Sequence, residues 1–165
     1  MENTVDNSGK TDITTRSFES FEVGETHQSP DQVMLQKNID AFAHLTGDLN
    51  PIHLDAEFAE KTVFRSTVAH GLYLSSILAG MAFERGLLGR NILALEQSHE
   101  DYLQAVKPGD VIFGRVTIAS KDPDASKRCG RIAWNLELLR RDGEEETVVV
   151  QAVWRTLVFK DQYLP

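Results

Sequence analysis

Cysteine is nearly absent from this sequence of 165 residues, which contains only Cys129. No disulfide bond can therefore form within the chain, as is typical of proteins from a reducing compartment. A long hydrophobic run is also lacking, because the longest apolar stretch, residues 71–83, is too short to cross a bilayer as a helix. The first 15 residues contain three acidic side chains and no apolar segment, which argues against a secretory signal and a transit peptide. We therefore expect a cytoplasmic protein.

Positive charge is scarce as well. The chain has 17 lysine and arginine residues against 25 aspartate and glutamate residues, so its net charge is −8. This balance argues against a nucleic-acid partner and against an anionic membrane surface, although a local basic patch would still accept a phosphorylated ligand. The apolar fraction of 41% suffices for one domain with a core. Residues 1–16 are polar and unpatterned, which predicts a disordered tail followed by a single domain over residues 17–165.

Apolar spacing predicts two helices in the first half of the chain. From Asn38, a possible N-cap, apolar residues recur at helical spacing until Gly47 ends the pattern. A second, shorter helix is predicted over residues 55–61, with Phe58 and Ala59 facing inward. These two helices enclose a short segment that contains a proline.

The rest of the chain predicts a main helix followed by a sheet. Apolar side chains occur all around residues 71–85, so this helix is expected to be buried rather than amphipathic. Four segments rich in branched and aromatic residues then follow, separated by turn residues, and each is predicted as a strand: 91–102, 110–120, 131–139 and 147–159. The pair Asp142-Gly143 before the last strand is a strong hairpin signal. The sequence therefore predicts an α+β domain in which a curved antiparallel sheet wraps one helix.

The segment from Asp48 to His53 has residues suited to acid–base chemistry. On one continuous helix, five residues advance by about 500°, so the two side chains would diverge. Pro51 prevents that helix and favours an extended Asn50, and the resulting bend can aim a carboxylate and an imidazole at one water. From the spacing alone we favour the alternative, in which Asp48 closes an Asx turn and His53 is a satisfied buried histidine. A zinc site is disfavoured, because no cysteine or second histidine lies nearby at ligand spacing.

Gly71 adds a second feature at the start of the main helix. Residues 68–71 lead directly into this helix, so the backbone N–H groups around Gly71 are unpaired donors at the positive end of the helix dipole. Glycine lets a ligand oxygen approach the backbone closely. Such donors polarise a thioester carbonyl and stabilise the enolate that forms when water adds to the β-carbon. The alternative, that Gly71 only eases the chain into the helix, fits the sequence equally well.

Together these segments resemble the MaoC-like dehydratases, a family that includes the (R)-specific enoyl-CoA hydratases. The resemblance rests on F-A-x-L-T-G-D-x-N-P-I-H-x-D at residues 42–55, F-A at 58–59, T-x-F at 62–64, A-H-G at 69–71 and V-K-P-G-D at 106–110. It covers roughly residues 20–160. The core from Asp48 to His53 is highly specific, whereas the other matches are individually weak but occur in the right order.

The resemblance implies a hot-dog fold, in which an antiparallel sheet wraps a long buried central helix, usually in a homodimer. It implies that Asp48 and His53 activate a water and exchange a proton with the substrate α-carbon, without fixing which of them is the base. It further implies that Asn50 supports the catalytic loop and that the Gly71 N–H binds the thioester oxygen. The implied reaction is hydration of a trans-2-enoyl-CoA to an (R)-3-hydroxyacyl-CoA, or the reverse dehydration. Neither a metal nor a cofactor is implied beyond the acyl-CoA substrate.

Two departures from the family pattern concern the substrate rather than the reaction. Ala79 stands where short-chain members have a serine near the active site, and Ala105 stands where the family has a proline before Val106. Both departures leave the Asp/His pair intact. They put the identity of the acyl chain in doubt.

Two other functions compete with hydration. An acyl-CoA thioesterase of the same fold commonly has a carboxylate on the central helix, and residues 71–83 contain none. A non-catalytic subunit that binds acyl thioesters would tolerate loss of Asp48 or His53, yet both are present. Separately, a long strand such as residues 147–159 needs a partner along its edge, which predicts a homodimer.

Overall fold

One antiparallel sheet of six strands is the main element of residues 15–165, the part of the chain that our computed structural model describes. The strands are β1 (Thr26–Gln28), β2 (Gln32–Val33), β3 (Ile92–Tyr102), β4 (Val111–Asp122), β5 (Cys129–Asp142) and β6 (Glu145–Phe159). Their order across the sheet is β1-β4-β5-β6-β3, and β2 also pairs with β4. The predicted tail lies almost entirely outside the described residues.

Four α-helices accompany the sheet in the described part of the chain: α1 (Gln36–Thr46), α2 (Pro51–Leu54), α3 (Ala56–Glu60) and α4 (Gly71–Glu84). Two short 3₁₀ turns occupy Phe18–Ser20 and Asp161–Tyr163. One main helix against an antiparallel sheet confirms the predicted α+β class. No described helix is long and apolar enough to span a membrane.

Alternation of apolar and polar residues places the core between α4 and the sheet. In β5 the apolar residues of the alternating run point inward and are fully buried: Ile132, Trp134, Leu136 and Leu138. Gly114 in β4 allows α4 to approach closely, because a Cβ at this position would lie 3.1 Å from the sulfur of Met81. The register pairs Asp142 with Glu145, so the predicted hairpin turns at Gly143 and Glu144, with a left-handed φ of 63° at the glycine.

Helix α4 is the buried central helix of the predicted fold, and in the single chain its burial is partial. Its buried side chains are Leu74, Ile77, Leu78, Met81 and Ala82. Leu72 and Phe83, on other parts of its surface, are exposed. The sheet covers one side of the helix in the single chain and leaves another side open.

The last strand lies inside the sheet. β6 pairs with β5 on one side and with β3 on the other. The prediction that residues 147–159 need an additional partner was therefore wrong in its reason, because both edges of this strand are already occupied. The long strand at the sheet edge is β3, which pairs with β6 along one side.

The boundaries of α1 and α3 agree only partly with the prediction. α1 starts at Gln36, after an extended Leu35 that makes no side-chain cap, so the predicted N-cap at Asn38 was wrong. Gly47 ends this helix in the left-handed conformation, as predicted. The Asp55 carboxylate caps α3 by accepting the Phe58 N–H.

The predicted inward orientation of the second short helix holds at one of two positions. Ala59 is completely buried, whereas Phe58 is exposed. The helix is only five residues long, and Ala59 is its one buried residue.

Candidate active site

The predicted catalytic segment connects α1 to α3 and contains α2. Asn50 caps α2, since its side-chain oxygen accepts the Ile52 N–H at 3.2 Å. Pro51 occupies the first position of this helix, where its missing N–H costs no hydrogen bond. The predicted proline-broken loop is thus a short linker followed by one helical turn. The turn carries His53 back toward Asp48.

Asp48 is exposed in the linker. One of its carboxylate oxygens accepts the Asn50 N–H, but the distance is long, at 3.4 Å. The Asx-turn alternative from the sequence therefore describes a real but weak contact. Most of the carboxylate's hydrogen-bonding capacity remains available to a ligand.

His53 has one nitrogen fixed and one free for chemistry. Its Nδ1 lies 2.7 Å from the backbone oxygen of Val68. A carbonyl oxygen only accepts, so Nδ1 must carry the hydrogen, and Nε2 holds the lone pair of the neutral ring. The alternative of a satisfied histidine is therefore correct for one ring nitrogen and incorrect for the other.

His70 completes the group, and its part was missed in the sequence. The residue is only 3% exposed. Its ring stacks on that of His53, with 3.6 Å between the ring centroids and 26° between the planes. Its Nε2 lies 3.1 Å from the backbone oxygen of Asp48, whereas its buried Nδ1 has no partner among the described residues. The A-H-G motif contained the signal, since His70 directly precedes Gly71.

The structure thus brings a carboxylate and two imidazoles to one point. Atoms of Asp48, His53 and His70 that could bind a metal all lie within 4.8 Å of one another. The expectation that no second histidine lies nearby is wrong, because His70 arrives from a different segment. The geometry nevertheless disfavours a shared metal ion. Ring-nitrogen lone pairs lie in the ring planes, so stacked rings direct them side by side, whereas a metal requires ligands that converge.

Polar contacts from α1 hold the segment in place. The Gln36 side-chain nitrogen donates to the backbone oxygen of His53 at 2.9 Å and to the Asp40 carboxylate at 2.7 Å. The Gln36 side-chain oxygen accepts the Thr67 hydroxyl at 2.6 Å. One glutamine therefore links α1, α2 and the chain before α4, a role that its sequence position alone does not indicate.

Gly71 begins α4 immediately after His70, as predicted. A Cβ at this position would lie 3.1 Å from ring carbons of Tyr102 in β3, so a larger residue would require the Tyr102 ring to shift. The Tyr102 hydroxyl also lies 2.8 Å from the hydroxyl of Ser75. The Gly71 N–H is one of the first-turn donors that have no acceptor within the helix. It lies at the positive end of a helix of 14 residues.

An apolar cavity lies at the opposite end of α4. Tyr102 lies beside the first turn of the helix, and the other end of β3 lies beside its last turns. There a cavity of about 330 Å³ opens, lined by Ala79 and Phe83 of α4, Ile92 and Leu95 of β3, and Trp154 and Thr156 of β6. Ala79 is eight residues beyond Gly71, which is about 12 Å along the helix. Ala79 is thus part of an apolar wall.

Tyr73 lies on the side of α4 that faces α1. Its ring centroid is 5.1 Å from that of Phe42, which also lies 5.1 Å from the His70 ring. Burial raises the pKa of the Tyr73 hydroxyl above its usual value of 10.0. This hydroxyl therefore stays protonated at neutral pH, and the aromatic cluster screens one side of His70 from water.

The fold and these residues define a class of protein. Residues 18–135 match the family model of the MaoC like domain, and the chain belongs to this family, the MaoC-like dehydratases. The resemblance predicted from the Asp48 to His53 motif is confirmed.

Two relatives and one solved structure illustrate the similarity. The chain is 33% identical to a 3-hydroxybutyryl-CoA dehydratase of Methylorubrum extorquens over 70% of this chain and 71% of the relative. It is 32% identical to an (R)-specific enoyl-CoA hydratase of Aeromonas caviae over 66% of this chain and 78% of the relative. Among solved structures, R-hydratase PhaJ1 from Pseudomonas aeruginosa superposes with a TM-score of 0.73 at 25% identity, covering 88% and 86% of the two chains. The predicted hot-dog fold is confirmed by this likeness.

Proposed function

We propose that this chain hydrates a trans-2-enoyl-CoA to an (R)-3-hydroxyacyl-CoA and catalyses the reverse dehydration. The observation that carries the proposal is the convergence of Asp48 and His53 within 4.8 Å, beside the first turn of α4. Relatives named as hydratase and dehydratase support the same reaction. The proposal requires no metal and no cofactor beyond the acyl-CoA.

Asp48 and His53 would hold one water between them. The His53 Nε2 lone pair accepts a proton as the water oxygen forms its bond to the β-carbon, and the Asp48 carboxylate accepts a hydrogen bond from the second O–H, which stays on the oxygen as the product hydroxyl. The His53 imidazolium then returns its proton to the α-carbon of the enolate. Every atom of the water thus ends in the product. Delivery of both parts from one pair explains addition to a single face of the alkene.

The thioester would lie at the start of α4. Its oxygen accepts the Gly71 N–H, where the helix dipole stabilises the negative charge of the enolate. Asn50 contributes indirectly, because its cap on α2 fixes the turn that carries His53.

The acyl chain would run along α4 from Gly71 toward the apolar cavity. About 12 Å separates Gly71 from Ala79, and carbon–carbon bonds measure roughly 1.5 Å, so a chain must extend for several bonds before it reaches the cavity. We therefore propose acyl chains of medium length rather than four-carbon substrates. The apolar Ala79, in place of a serine, suits such a chain.

A panel of trans-2-enoyl-CoA substrates of increasing chain length tests this proposal. Loss of the absorbance of the conjugated alkene should be fastest for medium chains, and the product should be the (R) isomer. Ala79→Phe should slow the medium chains while leaving a four-carbon substrate nearly unchanged, because only the cavity end is filled. No alkene loss with any member of the panel would refute hydration.

The same assay separates hydration from thioester hydrolysis. A thiol reagent detects free CoA, which hydrolysis releases and hydration does not. Thiol release at the rate of alkene loss would favour a thioesterase, the strongest competitor within this fold. Binding without either signal would favour a non-catalytic subunit.

The chain would act as a cytoplasmic homodimer. β3 is an 11-residue strand at the sheet edge, and its Leu93 and Leu95 side chains are exposed. An edge of this length is usually paired or covered, and a second copy of β3 would cover it. The free cysteine, Cys129, is buried, which suits a reducing compartment. Light scattering should give the mass of two chains, and a monomer at assay concentration would refute the dimer.

A further inference from the structure

His70 occupies an unusual position between three parts of the candidate site. It is buried, it directly precedes Gly71, and it contacts Asp48 through the backbone and His53 through the ring. Its own backbone oxygen accepts the Leu74 N–H and so starts the hydrogen bonds of α4. One residue therefore touches the segments that supply the carboxylate, the imidazole and the helix N-terminus.

The contact with Asp48 fixes the form of the His70 ring. The acceptor at 3.1 Å is a backbone carbonyl, so Nε2 carries the hydrogen and the buried Nδ1 holds a lone pair in the neutral ring. A second hydrogen on Nδ1 would be a buried donor, and Nδ1 has no acceptor among the described residues. The surroundings therefore suit a neutral His70 with a hydrogen on Nε2.

The stack with His53 gives this neutral ring a function. In the proposed reaction His53 becomes an imidazolium for part of the cycle, and a neutral ring stacked 3.6 Å away places no like charge beside it. A charged His70 would repel it. The stack also limits rotation of the His53 ring, whose orientation otherwise depends on the Val68 contact.

We propose that His70 is a positioning residue, which holds Asp48 through its Nε2–H and supports the His53 ring through the stack. The inference rests on the proposed hydratase function. His70 itself does not act on the substrate; it fixes the geometry of the two groups that do. Catalysis of this kind loses about 10² in rate when reacting groups move by about 1 Å.

Three variants separate the hydrogen bond from the stack. In His70→Gln the amide nitrogen is as many bonds from Cα as Nε2 is in histidine, so it can still donate to Asp48. His70→Asn is the matched control, because its amide ends one bond earlier. His70→Phe retains a flat ring of similar size without a donor.

We expect the kcat of His70→Gln to fall less than tenfold. The kcat of His70→Asn and His70→Phe should fall by about tenfold to a hundredfold, while KM changes little because the Gly71 N–H remains. All rates refer to the folded fraction, measured by urea unfolding. A His70→Phe variant with wild-type kcat, or a His70→Gln variant no better than His70→Asn, would overturn the proposal.

Long-range ¹H–¹⁵N NMR of the wild-type protein tests the same inference without an activity assay. We expect a hydrogen on Nε2 of His70 and on Nδ1 of His53 at neutral pH. A His70 ring with its hydrogen on Nδ1 would overturn the proposal even if the enzyme is active. If instead the expected tautomers are present and no enoyl-CoA is hydrated, the proposed function fails and the His70 contacts stand.

Discussion

The sheet and the catalytic loop, residues 47–55, are stabilised in different ways. In β5, side chains such as Leu136 are completely buried, and their stability comes from apolar burial. None of the four residues of α2 in the loop is buried. The loop depends on hydrogen bonds between side chains and backbone, from Asn50, His53, His70 and Gln36.

This difference indicates that stability and function depend on different residues of the molecule. Apolar burial is strong but does not aim a side chain at one point, whereas a hydrogen bond is weak and directional. The loop exposes Asp48 to its ligand and still fixes the backbone on both sides of it. Mutations in the two regions should therefore change different measurements.

Asp48→Asn is expected to have the largest effect. Removing the carboxylate should lower the kcat for hydration by about 10²–10⁴. The free energy of unfolding should change by less than about 0.5 kcal/mol, because the side chain is exposed and its one intrachain contact is long. Asp124→Asn removes the same charge from an exposed turn and should leave kcat unchanged. A large loss of stability in Asp48→Asn would contradict the claim that this residue acts in catalysis and not in stability.

Leu136→Ala is the converse change, in the sheet. Deleting this fully buried side chain should lower the free energy of unfolding by about 2–5 kcal/mol, measured by urea denaturation. The kcat of the folded fraction should stay within a factor of about two, because the site is held by separate hydrogen bonds. Leu45→Ala serves as the control, since Leu45 is 85% exposed and its truncation should change stability little. A selective loss of kcat in Leu136→Ala would show that the two regions are coupled.

The sheet was largely predictable because its signals are local. Alternation in residues 131–138 and the glycine turn after Asp142 each depend on neighbours along the chain, and all four predicted long strands are present. The order of the strands is not set by such local signals. That β6 lies between β5 and β3 depends on pairing between distant segments, and the prediction based on strand length placed it at an edge.

The site was predictable only as far as its motif extended. Asp48, His53 and Gly71 were assigned to the candidate site because they lie in one recognisable pattern. His70 and Gln36 were missed as parts of the site, because their roles arise from contacts with other segments. The helix start at Gln36 rather than Asn38 has the same cause, since the Gln36 side chain bonds to three different partners.

A polar cluster at β1 allows a test of whether hydrogen bonds also stabilise the sheet. Glu25 accepts hydrogen bonds from Arg16, and its carboxylate lies 2.6 Å from a ring nitrogen of His27 in β1. The Arg16 guanidinium also lies over the ring of the buried Phe21, 4.1 Å from its centroid. The cluster thus attaches the start of the described chain to the sheet.

Glu25→Gln should have the smallest effect and a distinctive pH dependence. The hydrogen bond from Arg16, opposed by burial and reinforced by His27, lowers the pKa of Glu25 from 4.5 to about 2. The unfolded chain thus binds this proton first as the pH falls. The stabilisation is complete above pH 4.5 and is lost between there and about pH 2. At neutral pH the variant should be less stable by under about 1 kcal/mol, because the pair is partly exposed. Urea unfolding at about pH 7 and about pH 3 should show this difference shrinking with acid; a difference independent of pH would mean that Glu25 stabilises the sheet by packing and not by charge.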